Sequence, residues 1–316
     1  MALLVPAFAQ QSVRGQRALP DNLMITDARG NGEKNTLLTP KAAIGKDLYC
    51  AGFIAPQAPR DTMQIVGAEM ENSRSRFGQG DVVYLNAGRR LQIEEGMLFS
   101  INRPRGTFRS PFKGNKEQRN LGVYVSELGV LRIMTTQENT SIARIIFSCD
   151  DIQFGDTLRA FESRPSVSSD LPQPLPRYVA TSGQKDGRIV MQREMKELIG
   201  PRDVVYLDLG SDSGVAQGDK FTIFRNLPDD SRVLHYREDD IEIRRSGGFQ
   251  SDTYKGGTYS GTHPYEAFQD VRNKRGGIPR TVIGELVIIS VHAKSATAVI
   301  TRVTQEVHTG DRIEAK

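Results

Sequence analysis

Four aspartates stand at matching places in two halves of the chain and are the first candidates for acid–base or metal chemistry. They are Asp81, Asp156, Asp203 and Asp311. Paired carboxylates can act as general acid and base when their environments separate their pKa values. Each of these aspartates, however, follows a glycine by one to three positions, where an aspartate commonly bonds to the backbone of a turn. The spacing therefore favours a structural role for all four.

The histidines and glycine-rich loops add no catalytic pattern. No two of His235, His263, His292 and His308 have the i, i+4 spacing of a zinc-binding helix. The segment 211–219 has the aspartates and glycines of a calcium loop, but Ile223 stands where such a loop needs a glutamate. No nucleophile elbow, phosphate-binding loop or dinucleotide-binding fingerprint occurs. We therefore predict a protein that is not an enzyme and that uses no metal or cofactor.

Two features predict export. Residues 1–9 combine a short apolar run with Ala7-Phe8-Ala9, the small-x-small pattern of a secretory cleavage site. We expect residues 1–9 to be a residual signal peptide, a mature chain from near Gln10, and a periplasmic or cell-surface location. The cysteines are Cys50 and Cys149, a candidate disulfide in an oxidising compartment. The alternative is a pair of buried free thiols.

Composition and charge bound the function classes. A chain of 316 residues with 38% hydrophobic and 25% charged residues is ordinary for a globular protein and long enough for about two domains. Its net charge of +4 is small and mixed along the chain, unlike the clustered basic surface of a typical nucleic-acid binder. No window approaches the roughly 18 consecutive apolar residues of a membrane-spanning helix. We expect no nucleic-acid partner and no membrane span.

The clearest pattern is an internal duplication. DVVYLNAG at 81–88 recurs as DVVYLDLG at 203–210, and the gapless match from Asp81 to Arg103 keeps 10 of 23 positions. A second gapless match begins at Gly129 and Gly284, and its two copies end in the same Gly-Asp turn. Short Val-, Ile- and Thr-rich segments between glycine turns are typical of strands. We predict an all-β protein of two tandem small antiparallel β-barrel or sandwich modules.

The duplication also sets the predicted domain boundaries. A lead-in segment covers residues 10–60, module 1 covers 61–161, a Pro/Ser-rich linker covers 162–185 and module 2 covers 186–316. Prolines among serines indicate that the linker is extended and semi-rigid. Module 2 carries a long insertion over 226–283, and residues 192–199 are predicted to supply one or two helical turns.

The repeated pattern DVVYL-x-x-G, G-x-x-F-x-I-x-R, G-x-L-x-I, A-x-I and G-D resembles the C-terminal domain of the basal-body ring protein of polar flagella. It is also similar to the related domain of LysM-bearing proteins associated with pilus secretins. The resemblance covers both repeats and implies β-barrel modules that serve as structural or docking parts of envelope machines. A LysM module is not found, since GDTL at 155–158 aligns with GDRI of the second repeat and reads as its closing turn.

Binding residues are predicted where the two repeats differ. The stretch 103–119 of module 1 has six basic residues, one acid and two interleaved phenylalanines. Such a loop can hold phosphate, an acidic glycan or an acidic protein surface, or it is a solvated hairpin tip whose phenylalanines pack back on the barrel. The module 2 insertion is rich in Tyr and Phe, which are enriched at interfaces. It predicts partner docking or strand-pairing assembly, a mobile loop, or ligand binding. The predicted binding residues are Arg105, Phe108, Arg109, Phe112, Lys113, Tyr236, Phe249, Tyr254, Tyr259 and Tyr265.

These patterns together predict a non-enzymatic cell-envelope scaffold or binding protein. The expected partners are a secretin, a flagellar or pilus ring, or peptidoglycan, and a homo-oligomer is an open alternative. Two rival functions stay open. A cell-wall hydrolase or other envelope enzyme would gather several of the acids or histidines in one cleft, and a nucleic-acid-binding β-barrel protein would show salt-sensitive binding through the basic stretch.

Overall fold

The prediction of an all-β protein is confirmed. The computed structural model of the chain describes residues 15–20, 42–43, 45–57, 61–112, 119–168, 174–180, 182–226 and 280–316. Almost all regular structure in these ranges is antiparallel β-sheet. In chain order the elements are α1 (Lys46–Tyr49), β1 (Phe53–Ala55), β2 (Ile65–Ala68), β3 (Val82–Leu85), β4 (Leu98–Arg109), β5 (Asn120–Thr136), β6 (Ser141–Ser148), β7 (Thr157–Ala160), β8 (Asp186–Gln192), β9 (Val204–Leu207), β10 (Lys220–Arg225), β11 (Thr281–Val291), β12 (Ala296–Val303) and β13 (Arg312–Ala315).

Module 1 is a sheet in the order β2-β3-β6-β5-β4-β7. A bridge between Gln64 and Thr157 joins its two end strands, and the amide of Leu158 donates to the carbonyl of Met63 at 2.9 Å. Alternate side chains of every strand point into one apolar core, since successive strand residues face opposite sides of a sheet. The core includes Ile65, Leu85, Phe99, Leu131 and Ile145.

Module 2 is a closed barrel in the order β10-β11-β12-β9-β8-β13. Closure pairs every strand on both sides and leaves no free sheet edge. Fully buried Phe221 and Ile223 from β10 and Leu286 from β11 lie at the centre of its core. The two modules predicted from the repeat are therefore two small antiparallel β-units built in the same strand sequence.

The duplication extends to the register of the strands. The pairing of β2 with β3 shifts after Ile65, and the pairing of β8 with β9 shifts after Ile189. The pairing of β4 with β5 shifts after Ile101, and that of β10 with β11 shifts after Ile223. Because a shift of one residue turns every following side chain to the opposite face, repeated bulges keep the same repeat positions inside both cores.

The last glycine of each DVVYL-x-x-G motif allows two loops to touch. A Cβ atom on Gly88 would lie 2.4 Å from the carbonyl oxygen of Gln137, and one on Gly210 would lie 2.2 Å from that of His292. The next residue in each copy donates its amide to that same carbonyl, at 2.9 Å in both modules. The glycine of the motif is therefore required in both modules for the contact between these two loops.

The lead-in and linker are packed between the modules. Strand β1 of the lead-in pairs with β5 of module 1, with Ile54 opposite Tyr124. Val167 of the linker accepts a backbone hydrogen bond from Ala42 at 2.7 Å and is buried in a shared apolar cluster. That cluster also holds outward-facing residues of both modules, such as Leu98 and Val204. The lead-in is thus part of the junction between the modules.

The predicted helical turns over 192–199 are wrong. The side chain of Gln192 accepts hydrogen bonds from the amides of Glu194 and Lys196, at 2.6 and 3.0 Å. This side-chain bonding turns the chain after β8, and Met195 takes a positive φ of 57°. The side-chain oxygen of Gln192 thus accepts hydrogen bonds from two backbone amides and stabilises a non-helical turn.

Candidate functional site

A cleft of about 490 Å³ opens at the junction of the modules. Its walls come from the lead-in, from the β4–β5 hairpin and the end of β6 in module 1, and from the turn after β8 in module 2. The lining residues are Cys50, Arg105, Tyr124, Ser126, Glu127, Leu128, Cys149, Asp150, Arg193, Glu194 and Met195.

One wall of the cleft comes from the basic stretch of module 1, whose residues 103–109 form the end of β4 and not a loop. Strand β4 runs on to Arg109 and pairs there with the start of β5. Arg105 donates from Nε to Ser126 Oγ at 3.1 Å, and its Nη2 lies 3.8 Å from Asp150 Oδ2. The guanidinium of Arg105 therefore reaches across one wall toward an acidic neighbour.

The floor of the cleft is covalently linked. Cys50 of the lead-in and Cys149 of module 1 form a disulfide with a Cα–Cα distance of 5.7 Å. Beside it the buried carboxylate of Glu127 accepts from Arg164 Nη1 at 2.9 Å and from the amide of Gly52 at 3.0 Å. Burial lowers the pKa of Arg164, but the Glu127 carboxylate outweighs burial and the pKa is raised overall. Glu127 is thus held in a structural ion pair.

The opposite wall belongs to module 2. Glu194 accepts from Arg193 at 2.9 Å and lies 2.5 Å from Lys196 Nζ. Hydrogen bonds from Lys196 and Arg193 lower the pKa of Glu194 to about 2, so this carboxylate is ionised at neutral pH. Next to it the side chain of Met195 is 73% exposed. The rim of the cleft therefore presents charges of both signs and one accessible apolar side chain.

The predicted phenylalanines of module 1 are half-buried against the protein. Phe108 and Phe112 are half-buried against a cluster that contains Tyr124 of module 1 and Tyr206 of module 2. The guanidinium of Arg188 lies 5.7 Å from the ring centre of Phe112. This arrangement matches the second interpretation of the stretch, in which the phenylalanines pack back onto the protein.

Two of the other predicted binding residues lie in the described part of the chain. Arg105 lines the cleft, whereas Arg109 is exposed near the end of β4. The remaining predictions lie outside the residues that the structure describes: Lys113, Tyr236, Phe249, Tyr254, Tyr259 and Tyr265.

The repeated acids hold the scaffold. Asp156 accepts two hydrogen bonds from Arg103, at 2.6 and 2.7 Å. Asp311 accepts two from Arg225, at 2.8 and 2.7 Å. Both aspartates are buried, and charge-assisted paired bonds of this kind are among the stronger polar contacts in proteins.

Asp81 and Asp203 have an equally local role. Each accepts the amide of the glycine three residues earlier, Gly78 at 2.9 Å and Gly200 at 2.8 Å. Within the described ranges, no three His, Cys, Asp or Glu residues lie close enough to hold a metal ion.

Most residues of the cleft were not predicted from the sequence. They include Tyr124, Ser126, Asp150, Arg193, Glu194 and Met195. The signal for the last three was the segment after β8, REMKEL at 193–198, which differs from the corresponding segment of module 1. This segment and the β4–β5 hairpin both differ in sequence between the two repeats, and both line the cleft.

Comparison with known proteins assigns no relative. No protein-family model matches the chain, and no curated protein matches it. In the part of the chain that the structure describes, no helix has the length and apolar character needed to cross a membrane.

Proposed function

We propose that the chain is a non-enzymatic scaffold or binding protein of the cell envelope that docks a partner protein at the cleft between its modules. The observation that carries the proposal is the junction. There a disulfide, the Glu127–Arg164 pair and the hydrogen-bonded Tyr206 hold the lead-in and both modules around the cleft. A surface already held in its binding shape loses little conformational freedom when a partner docks.

The charges at the cleft favour a polypeptide as its occupant. Arg105 and Arg193 are accompanied by Asp150 and Glu194, and these carboxylates would repel nucleic acid, phosphate or an acidic glycan. Exposed Met195 adds a flexible apolar contact of the kind found at adaptable binding surfaces. A partner loop that carries both signs of charge and an apolar side chain complements this surface.

The ion pairs made by the repeated aspartates favour a scaffold protein over a hydrolase. A general acid or base must be within reach of substrate with a lone pair or proton to use. Asp156 and Asp311 instead accept paired bonds from Arg103 and Arg225 inside the modules. Their duplication follows the barrels, as expected for residues that hold a fold.

The proposed location is the periplasm or cell surface. The Cys50–Cys149 disulfide supports it, because such bonds persist in oxidising compartments. A secretin, or a flagellar or pilus ring, is the class of partner implied by the resemblance of the repeats. N-terminal sequencing of the protein from fractionated cells tests the location: a mature chain beginning near Gln10 in the envelope fraction supports it, and an uncleaved chain in the cytosol contradicts it.

A capture experiment tests the docking role. The wild-type chain, the double variant Arg105→Glu/Met195→Glu and the control Arg89→Glu/Leu91→Glu are each used to recover proteins from envelope fractions. The control also changes one arginine and one exposed apolar residue to glutamate, in the loop after β3. We expect the cleft variant to lose a partner that wild type and control retain. Identical recovery by all three chains, or release of soluble fragments from peptidoglycan by the pure protein, contradicts the proposal.

A further inference from the structure

Module 1 has an exposed face that combines apolar side chains with two arginines. It is the outer side of the sheet formed by β2, β3, β6 and β5. Its apolar residues Val66, Tyr84 and Met134 are 52, 37 and 42% exposed, and its arginines are Arg132 of β5 and Arg144 of β6. We call these five residues the arginine face. Tyrosine, methionine and arginine are residue types enriched at protein interfaces.

The strand register sets the two arginines side by side. Arg132 stands directly opposite Arg144 in the pairing of β5 with β6. Their neighbours in the strands, among them Leu131 and Ile145, point into the core, so both arginine side chains lie on the outer side of the sheet. The Cβ atoms of directly opposite residues are about 5 Å apart, and like charges at such positions destabilise a sheet. A negative group bound at this pair would therefore stabilise it.

No carboxylate of the described residues neutralises the pair. In these ranges neither guanidinium forms an ion pair or a side-chain hydrogen bond, and the Nε atom of Arg132 is buried without an acceptor. Buried donors are nearly always paired in folded proteins. Glu71, at the β2 edge of the face, accepts a hydrogen bond from the amide of Ala68 at 3.2 Å. The positive charge of the face is thus open to an external acid.

The second module shows that the architecture does not require these arginines. The residues equivalent to Arg132 and Arg144 are Val287 and Val299, which are buried at the junction. The same strand order therefore forms with valine at both positions. A face made polar only to stay in water would also have lost its exposed tyrosine and methionine, which module 1 keeps. Both observations favour a binding role for the arginine face.

We propose that the arginine face binds an acidic segment of a partner protein, with a carboxylate held between Arg132 and Arg144 and with apolar side chains against the other residues of the face. A guanidinium can hold a carboxylate through two parallel hydrogen bonds, and a carboxylate between two guanidinium groups offsets their repulsion. A nucleic-acid backbone supplies negative charge but no apolar groups for Val66 and Met134. The composition of the face therefore selects a polypeptide.

The inference rests on the proposed binding function and adds a second surface to it. None of the five residues of the arginine face lines the cleft, so the two proposals fail separately. A chain that captures an envelope protein through Arg105 and Met195 but binds no acidic peptide overturns the arginine face alone. A chain that binds acidic peptides through Arg132 and Arg144 but captures nothing at the cleft overturns cleft docking alone.

Selection from a displayed library of random short peptides tests the inference. The library is presented to the full oxidised chain and, in parallel, to the double variant Arg132→Gln/Arg144→Gln. We expect the wild type to enrich peptides that carry Asp or Glu beside an aromatic or aliphatic residue, and the variant not to enrich them. An unfolding midpoint no lower than that of the wild type shows that the variant folds.

Fluorescence anisotropy of an enriched peptide then measures what each group contributes. Arg132→Gln/Arg144→Gln and, separately, Tyr84→Ser should each weaken binding at least about tenfold, since arginine and tyrosine are common interface hot spots. The control Arg89→Gln/Arg90→Gln removes two exposed arginines from the turn after β3. It lowers the net charge by the same amount and should leave the affinity unchanged.

Charge reversal separates a specific contact from general attraction. Arg132→Glu/Arg144→Glu should lose the acidic peptide and bind a version of it in which each Asp and Glu is replaced by Lys. Four results overturn the proposal: enriched peptides without acids, equal affinities of the wild type and the glutamine double variant, an equal loss in the control, or binding of a single-stranded DNA oligonucleotide with no enrichment of peptides.

Discussion

The hydroxyl oxygens of Tyr206 in module 2 and Tyr124 in module 1 lie 3.2 Å apart, and their rings meet edge to face. Tyr206 also donates to the carbonyl of Ala51 in the lead-in, so one side chain joins three parts of the chain. Burial is the main reason that the pKa of Tyr206 is raised. Its repeat counterpart Tyr84 is exposed. The same repeat position therefore stabilises the junction in module 2 and faces outward in module 1.

Removing the Tyr206 hydroxyl should weaken the folded state. Tyr206→Phe leaves the buried carbonyl of Ala51 without this donor, and we expect a loss of about 1–2 kcal/mol in the free energy of unfolding. Tyr84→Phe is the matched control and should change it by less than about 0.5 kcal/mol. Urea unfolding of the three chains measures both values. Equal effects at the two positions would refute the role given to Tyr206.

Reducing the disulfide should destabilise the junction. Cys50 and Cys149 are 99 residues apart, and chain-entropy estimates for a loop of this size give about 4–5 kcal/mol. The double variant Cys50→Ser/Cys149→Ser should unfold at a lower urea concentration than the oxidised wild type. The same variant should show no further change when a reductant is added. An oxidised wild type no more stable than the double variant would contradict this expectation.

Replacing the aspartate of an Arg–Asp pair should lower the free energy of unfolding. Asp311 is fully buried and bonds to Arg225 and to the amide of His308. Asp311→Asn leaves the half-buried Arg225 without its counter-charge, and we expect a loss of about 1.5–3 kcal/mol. Asp186→Asn removes an exposed partner of Arg312 and should cost less than about 1 kcal/mol. Denaturant unfolding decides the matter, and similar losses in the two variants would count against a structural role for the repeated Gly-Asp turn.

Stability should decrease in mild acid because of His292. Burial, with the positive charges of Arg164 and Arg159, lowers the pKa of His292 to about 4, and its ring stacks on Phe53 with centroids 4.9 Å apart. The unfolded chain takes up this proton first, near the ordinary histidine pKa of about 6.5. The contribution of His292 to the free energy of unfolding is therefore fully present above about pH 6.5. It falls by up to roughly 3 kcal/mol as the pH drops toward 4.

The substitution His292→Phe separates this histidine from the acidic groups that also titrate in that range. The phenylalanine keeps an aromatic ring against Phe53 and cannot take up a proton. Urea unfolding at pH 7 and at pH 4.5 should show a smaller loss for the variant than for the wild type. An equal loss in the two chains would show that His292 does not contribute.

The fold was predictable because its signals are local. Glycine turns and β-branched segments recur in order, and the glycines at 88 and 210 are required by contacts within each module. The junction was not predictable in the same way. DVVYLNAG and DVVYLDLG hold the same tyrosine, and its burial in module 2 is decided by the lead-in residues Ala51 and Gly52, which are distant in sequence.

The cleft was predictable only in part for a related reason. Arg105 was found because basic residues cluster around it, but its neighbours in the cleft come from other segments. Cys50, Asp150 and Met195 meet there through the packing of the lead-in, the end of β6 and the turn after β8. The side-chain bonds of Gln192 also turned a segment expected to be helical. Long-range packing and competing side-chain hydrogen bonds leave little trace in local patterns.

Photo-cross-linking in cells tests whether a partner protein docks at the cleft. A photoreactive residue placed at Met195, and in a control chain at Leu91, is activated in intact cells, and the adducts are identified by mass spectrometry. Both positions are exposed, so they report location and not accessibility. We predict a defined adduct with an envelope protein from position 195 that is absent from position 91. The same adducts from both positions, or none from position 195, would contradict it.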